Sequence, residues 1–136
     1  MFKTIKEAKD YCIEMGANPS KSIFIKRLDN YIGFVEIDND EYEGEILDGD
    51  CFISFMCAFE NHIKASNLDA IHEPLRLGNG KYLLKELIKI KPDIKRILGT
   101  TSKETMLFWE GVGAKILDKT WTESFNFVLY TNDLKI

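Results

Sequence analysis

Apolar and polar positions alternate along this chain with a period that switches several times, and each switch marks an element. Ile5, Ala8, Cys12 and Met15 fall on one helical face. Thr4 and Glu7 have capping-box spacing and Gly16 offers a left-handed stop, so the pattern predicts a helix over residues 4–15. Asn18-Pro19-Ser20 is a turn. Residues 22–28 and 31–37 are β-rich runs separated by Asp29-Asn30, the signal of a tight hairpin. Residues 51–60 are nearly all apolar, as expected of a central strand covered on both faces. Leu83, Leu84, Leu87 and Ile88 make the buried stripe of a helix over residues 81–90, and Lys91-Pro92-Asp93 turns the chain into a short strand over 94–98. Ser102 is placed to cap a helix over 103–111 whose inner side includes Met106 and Trp109. Residues 114–117 and 124–130 read as two final antiparallel strands.

The order is helix, three strands, helix, strand, helix, two strands, an α+β arrangement with a mixed sheet. A crossover helix between the long apolar strand and the strand at 94–98 makes those two parallel and adjacent. Between them, residues 61–75 form a connection with a short helix around 61–66, ended by Pro74. Length adds that 136 residues make one domain, 1–136. A hydrophobic share of 45% and a charged share of 29% are ordinary for a soluble globular chain. No run approaches the ~18 apolar residues of a membrane span, and the charged N-terminus lacks a secretory core, so a cytoplasmic location is expected. Cys12, Cys51 and Cys57 have no framework spacing and read as reduced, mostly buried thiols. A net charge of -4 argues against nucleic acid. Seven carboxylates lie between Asp38 and Asp50; they read either as a solvated loop, the favoured reading, or as a surface that attracts a cationic acceptor. The segment lacks the glycine of an EF-hand calcium loop.

Chemistry concentrates in the second half. In Arg76-Leu77-Gly78-Asn79-Gly80-Lys81, glycines that admit an anion stand immediately before a helix N-terminus, the makings of a phosphate cradle. Taken alone, Gly78-Asn79-Gly80 reads equally well as a helix-entry turn. A Walker loop is excluded, because its first glycine would fall on Leu75 and Tyr82 stands where Ser or Thr is needed. Downstream, Ser102 is followed by Phe108-Trp109-Glu110-Gly111-Val112-Gly113-Ala114. With both motifs at this separation, residues 22–130 resemble the GNAT N-acetyltransferase superfamily, as an N-terminally reduced member.

That resemblance implies a mixed, mainly antiparallel twisted sheet flanked by helices, the GNAT-like acyl-CoA N-acyltransferase fold. It implies acetyl-CoA as co-substrate, without a metal. The family loop runs [Gln/Arg]-x-x-Gly-x-[Gly/Ala]; Gly78-Asn79-Gly80 matches the glycine half, while Leu75 holds the Gln/Arg position and the arginine comes one place later, at Arg76. The implied cofactor-binding residues are Cys57, Ala58 and Phe59 at the strand end, Arg76, Leu77, Gly78, Asn79, Gly80 and Lys81 in the loop, and Ser102, Phe108 and Trp109 beyond. Gly80 matters most, because a Cβ there would meet the phosphate.

Acetyl transfer needs a polarised carbonyl, a neutral amine and protonation of the departing thiolate. Backbone N–H groups at Cys57-Ala58-Phe59 are placed for the first. Glu60 and His62 are candidate bases for the second, each reading otherwise as a surface residue. For the third, Trp109 occupies the family's usual tyrosine position, and an indole N–H cannot serve as the acid. Tyr82 and Tyr130 are substitutes that core packing explains as well. Cys57 lacks a neighbouring base for a nucleophile's role, and His62 and His72 lack zinc spacing. The expected activity is N-acetyl transfer from acetyl-CoA to an unidentified amine. The alternatives are a non-catalytic GNAT-like module that binds CoA or a protein partner, and a cofactor-free domain that forms a homodimer through a sheet edge. No nucleic-acid or membrane partner is expected.

Overall fold

The computed structural model describes residues 2–59, 79–120 and 122–135, with Asn79 as backbone only. Thr4 Oγ1 accepts from the Glu7 N–H at 3.2 Å and Glu7 Oε1 accepts from the Thr4 N–H at 3.2 Å. The capping box thereby launches helix α1, Ile5–Glu14. Gly16 ends it with φ +87. Its buried side is narrower than the pattern predicts: Ala8 and Cys12 are buried, whereas Ile5 and Met15, at the two ends of the face, are exposed.

Strands β1, Ser22–Arg27, and β2, Asn30–Ile37, form an antiparallel hairpin in which Arg27 pairs with Asn30. The turn is therefore Leu28-Asp29 rather than Asp29-Asn30, with Leu28 at φ 56 and 91% exposed. A register shift between Ile25 and Lys26 leaves Ile32 as an extra residue on β2, which moves the turn one position back along the chain. Strand β3 is Asp50–Ala58, helix α2 Asn79–Ile90, strand β4 Arg96–Thr101, helix α3 Met106–Gly111, strand β5 Lys115–Lys119 and strand β6 Phe125–Tyr130. The six strands form one sheet in the order β1-β2-β3-β4-β6-β5. The β3–β4 pair is parallel and the β1–β2, β4–β6 and β5–β6 pairs are antiparallel, the mixed sheet expected.

Two elements begin later than predicted. Ile94 is buried but stands outside β4, whose end runs through Gly99-Thr100-Thr101, a stretch with no apolar pattern to announce it. Helix α3 starts at Met106 with Thr105 as its N-cap, and Ser102 does not cap it. The Thr105 hydroxyl is bonded instead to the hydroxyls of Thr101 and Ser102 at 2.7 and 3.1 Å, so these side chains satisfy one another rather than the helix amides.

The described residues fall into two compact units, Met1–Ile37 with Phe55–Ile90, and Asp38–Ser54 with Lys91–Ile136. In the first, Phe34 and Phe59 anchor a cluster with Ala8, Cys12 and Ala17. The Phe59 ring meets Phe2 and Tyr11 edge-on at 5.0 and 5.3 Å. Helix α2 buries Leu83, Leu84 and Leu87 completely and packs against β1 and β2. Gly33 permits that approach, because a Cβ there would strike the Cys57 carbonyl and the Leu83 methyls.

In the second unit, one sheet face carries Phe52, Leu98 and Val128 with Tyr42 against them. Elsewhere in that unit, Trp109 of α3 stacks on Phe127 of β6 at 4.2 Å. Arg96 at the head of β4 donates to both carboxylate oxygens of Asp50 at the head of β3, at 2.8 and 2.6 Å. Among the described residues no helix is long and apolar enough to cross a membrane.

Candidate active site

Helix α2 opens with Asn79, Gly80 and Lys81, whose N–H groups belong to a first turn without intrahelical acceptors. That turn carries no acidic residue. Gly80 is buried and Lys81 exposed. Amides without intrahelical acceptors, a residue without Cβ and a cation in the first turn of a twelve-residue helix suit a diphosphate. The features fit a CoA-type anion. Arg76, Leu77 and Gly78 of the same loop lie outside the described residues, as do the candidate bases Glu60 and His62.

At the end of β3, Phe59 is fully buried and its N–H donates to the Ile32 carbonyl at 2.7 Å. Successive amides along a strand point to opposite edges. The Phe52 carbonyl, however, accepts from the Asp38 N–H just past β2, so Phe52 and Phe59 both turn backbone groups to the β2 side although seven residues apart. The alternation is broken between them, in the stretch that holds Cys57 and Ala58. The β2 edge itself continues past Phe59: Phe2 and Tyr31 exchange two backbone hydrogen bonds, at 2.7 and 3.2 Å. On its other side, β3 is in register with β4 only from Asp50↔Arg96 to Ile53↔Gly99. Both strands run on, to Ala58 and to Thr101.

Burial pushes the Cys57 thiol up to about 12, so it stays protonated at neutral pH and has no nucleophile's activation. Ser102 is exposed just beyond β4, and Phe108 is half-buried, edge-on to Trp109 at 5.1 Å. The Trp109 ring is 7% exposed and committed to its stack on Phe127. Tyr82 donates its hydroxyl to the Lys26 carbonyl at 3.2 Å, with the Arg27 guanidinium 4.2 Å above its ring. Desolvation first, and then Glu86, raises its pKa, which leaves it a weak acid. Tyr130 is partly exposed at the end of β6 with the Lys115 ammonium 5.9 Å from its ring.

One feature of the second unit escapes sequence reasoning: a cleft of about 670 Å³ lined by the 41–44 segment, Phe52, Thr100 and residues of the β5–β6 hairpin. The carboxylates between Asp38 and Asp50 were its only sequence signal, and spacing alone could not tell which of them face a cavity.

No protein-family model matches the chain, and no curated protein matches it. Solved structures do. The PaiA N-acetyltransferase of Thermoplasma acidophilum, in complex with coenzyme A, aligns with a TM-score of 0.51 at 15% identity. That alignment takes in 88% of this chain, which spans only 65% of the PaiA chain. The IAA acetyltransferase of Bacillus cereus gives 0.54 at 11% identity over 96% of this chain and 95% of its own. The ribosomal-protein-S18-alanine N-acetyltransferase of Escherichia coli gives 0.51 at 9% identity over 89% and 76%. Likeness at such identities establishes the fold. The chain has the GNAT acyl-CoA N-acyltransferase fold, a mixed six-stranded sheet flanked by helices.

Proposed function

We propose that this chain is a single-domain N-acetyltransferase that moves an acetyl group from acetyl-CoA to an amine by direct attack. The observation that carries the reading is the parallel β3–β4 ladder, which stops at Ile53↔Gly99 while both strands continue. A parallel ladder that ends before its strands do is what an extended thioester arm lying along β3 requires. The glycine-led mouth of α2 supports the same reading from the diphosphate end. Acetyl-CoA supplies a thioester: the amine nitrogen bonds to its carbonyl carbon, the C–S bond breaks, and CoA leaves as a thiolate that takes a proton.

The chain's own groups divide the remaining work. With the Phe59 N–H spent on Ile32, a backbone N–H at Cys57 or Ala58 donates to the carbonyl oxygen as negative charge develops there. Gly80 and Lys81 hold the diphosphate through backbone amides and one ammonium. An ordinary amine with pKa near 10.4 must lose a proton first, at a cost of about 4–5 kcal/mol at pH 7. Glu60 or His62 takes that proton. Trp109 cannot return one to the thiolate, but a thiol pKa near 8.5 makes anion release only ~2 kcal/mol uphill.

Calorimetry with acetyl-CoA tests the proposal, with Gly80→Glu as the informative variant. The wild-type chain binds, and the variant, folded by circular dichroism, shows no detectable heat because a carboxylate stands where phosphate sits. No binding by the wild type at millimolar ligand overturns the reading. A second reading, a module that binds CoA without catalysis, draws on the burial of Trp109 in place of a tyrosine acid. Thiol release with an amine library separates the two.

A further inference from the structure

The cleft of the second unit has a composition that selects a ligand. Glu41, Glu43 and Asp118 bring three carboxylates to its lining, and among the described residues no lysine, arginine or histidine faces them there. None of the three takes part in an ion pair among the described residues. Tyr42 adds an aromatic ring held in place by Phe52, centroid to centroid 5.4 Å. The rest of the lining is polar: Asn126 Nδ2 donates to Asp118 Oδ1 at 3.4 Å, and the hydroxyls of Thr120 and Ser124 lie 2.7 Å apart. At about 670 Å³ the cleft is of the size that takes small molecules. Thr100 belongs to its lining, and Thr100 directly follows Gly99, where the β3–β4 ladder stops.

We infer that this cleft is the acceptor pocket and that it selects a short alkyl amine carrying at least one further positive charge, a diamine or triamine. The inference rests on the transferase reading above. Three carboxylates on one concavity give it a negative potential, which draws an ammonium. An ammonium also lies favourably over an aromatic face. Two carboxylates with a tyrosine therefore bind the distal nitrogen, which is protonated at neutral pH. The reacting nitrogen is left toward Thr100, at the ladder's end. A second charge on the same molecule also lowers the pKa of the reacting nitrogen, because like charges disfavour protonation. The amine the cleft holds best is thus also easier to deprotonate than a monoamine of the same length. A neutral acceptor gains no ion pair from this lining, and an anionic one is repelled by its charge.

The test compares 1,4-diaminobutane with n-butylamine, equal in carbon chain and different in charge, by calorimetry on the full chain, with acetyl-CoA titrated separately. The diamine binds roughly tenfold tighter than the monoamine, since exposed ion pairs each contribute a factor of about 1.5 to 5. Preference falls as salt rises. In Glu41→Gln/Glu43→Gln/Asp118→Asn the preference shrinks toward one, and Glu43→Gln alone removes a factor of about 2 to 5. The single variant reads the effect even if the triple one fails to fold. Equal affinity for the two amines, no binding of either, or a preference that survives loss of the carboxylates overturns the inference. Acetyl-CoA binding without diamine preference defeats the pocket assignment and leaves the transferase reading standing. Diamine preference without acetyl-CoA binding keeps an oligoamine site, sinks the transferase reading and with it the acceptor role.

Discussion

An indole at position 109 satisfies two sequence patterns at once, the aromatic pair of a cofactor motif and the inward stripe of a short helix. The structure gives it a physical address: 7% exposed, face to face with Phe127 at 4.2 Å. Gly99 serves the same stack from β4, since a Cβ there would lie 2.5 Å from the Phe127 ring. Burial of Trp109 was legible from helical spacing; its partner was not, because Phe127 belongs to a strand that follows in sequence and meets it only through the sheet. Truncating Trp109 to alanine costs about 3–5 kcal/mol by the usual penalty for emptying a buried aromatic site. Trp109→Phe keeps a ring on Phe127 and loses less than half of that. Urea unfolding of the two variants measures the difference, and equal losses would mean that a phenyl ring at 109 restores no contact with Phe127.

At the scale of elements, the parallel pair is the least local feature of the fold, yet the chain's pattern predicted it from a crossover helix between two apolar strands. What the pattern missed were ends. The β1–β2 turn moved because a register shift adds Ile32 to one strand, and periodicity cannot report a single extra residue. Helix α3 began late because Thr105, with Thr101 and Ser102, forms a hydroxyl cluster in place of a cap. The parallel ladder starts at the Asp50–Arg96 ion pair, whose Asp50 side chain is 3% exposed. The Arg96 guanidinium is the main cause that holds the Asp50 carboxyl below its ordinary 3.8. Because the folded-state value is depressed, the pair contributes in full above the ordinary carboxylate value and drains away as pH falls through the lower folded one. Asp50→Asn therefore destabilises the chain by about 1–2 kcal/mol at pH 7, in line with hydrogen bonds to charged groups. The gap to wild type narrows as pH falls below 3.8. Thermal melts of both proteins at pH 7 and pH 3 decide it; a gap of the same size at both values would assign Asp50's role to shape rather than charge.

On the scale of the whole molecule, fold and site differ in how far sequence reveals them. The helix and strand order followed from hydrophobic periods, while the proposed diphosphate cradle rests on one contiguous glycine motif. The acidic cleft draws on Glu43, Thr100 and Asp118 from separate segments, so only the folded chain assembles it. The cradle has a consequence that reaches beyond its own amides. A ligand that binds the folded chain and not the unfolded one stabilises it by RT ln(1 + [L]/Kd), about 2.7 kcal/mol at a hundred times Kd. For a domain of this length that is roughly 10 °C in Tm. CoA should deliver such a shift, and pantetheine, which has the thiol arm without the diphosphate, should deliver only a small part of it. The comparison isolates the helix mouth: the arm's contacts along β3 are common to both ligands, and the anion is not. Equal shifts from the two at matched concentration would place the binding energy in the arm and leave the first turn of α2 without a ligand to hold.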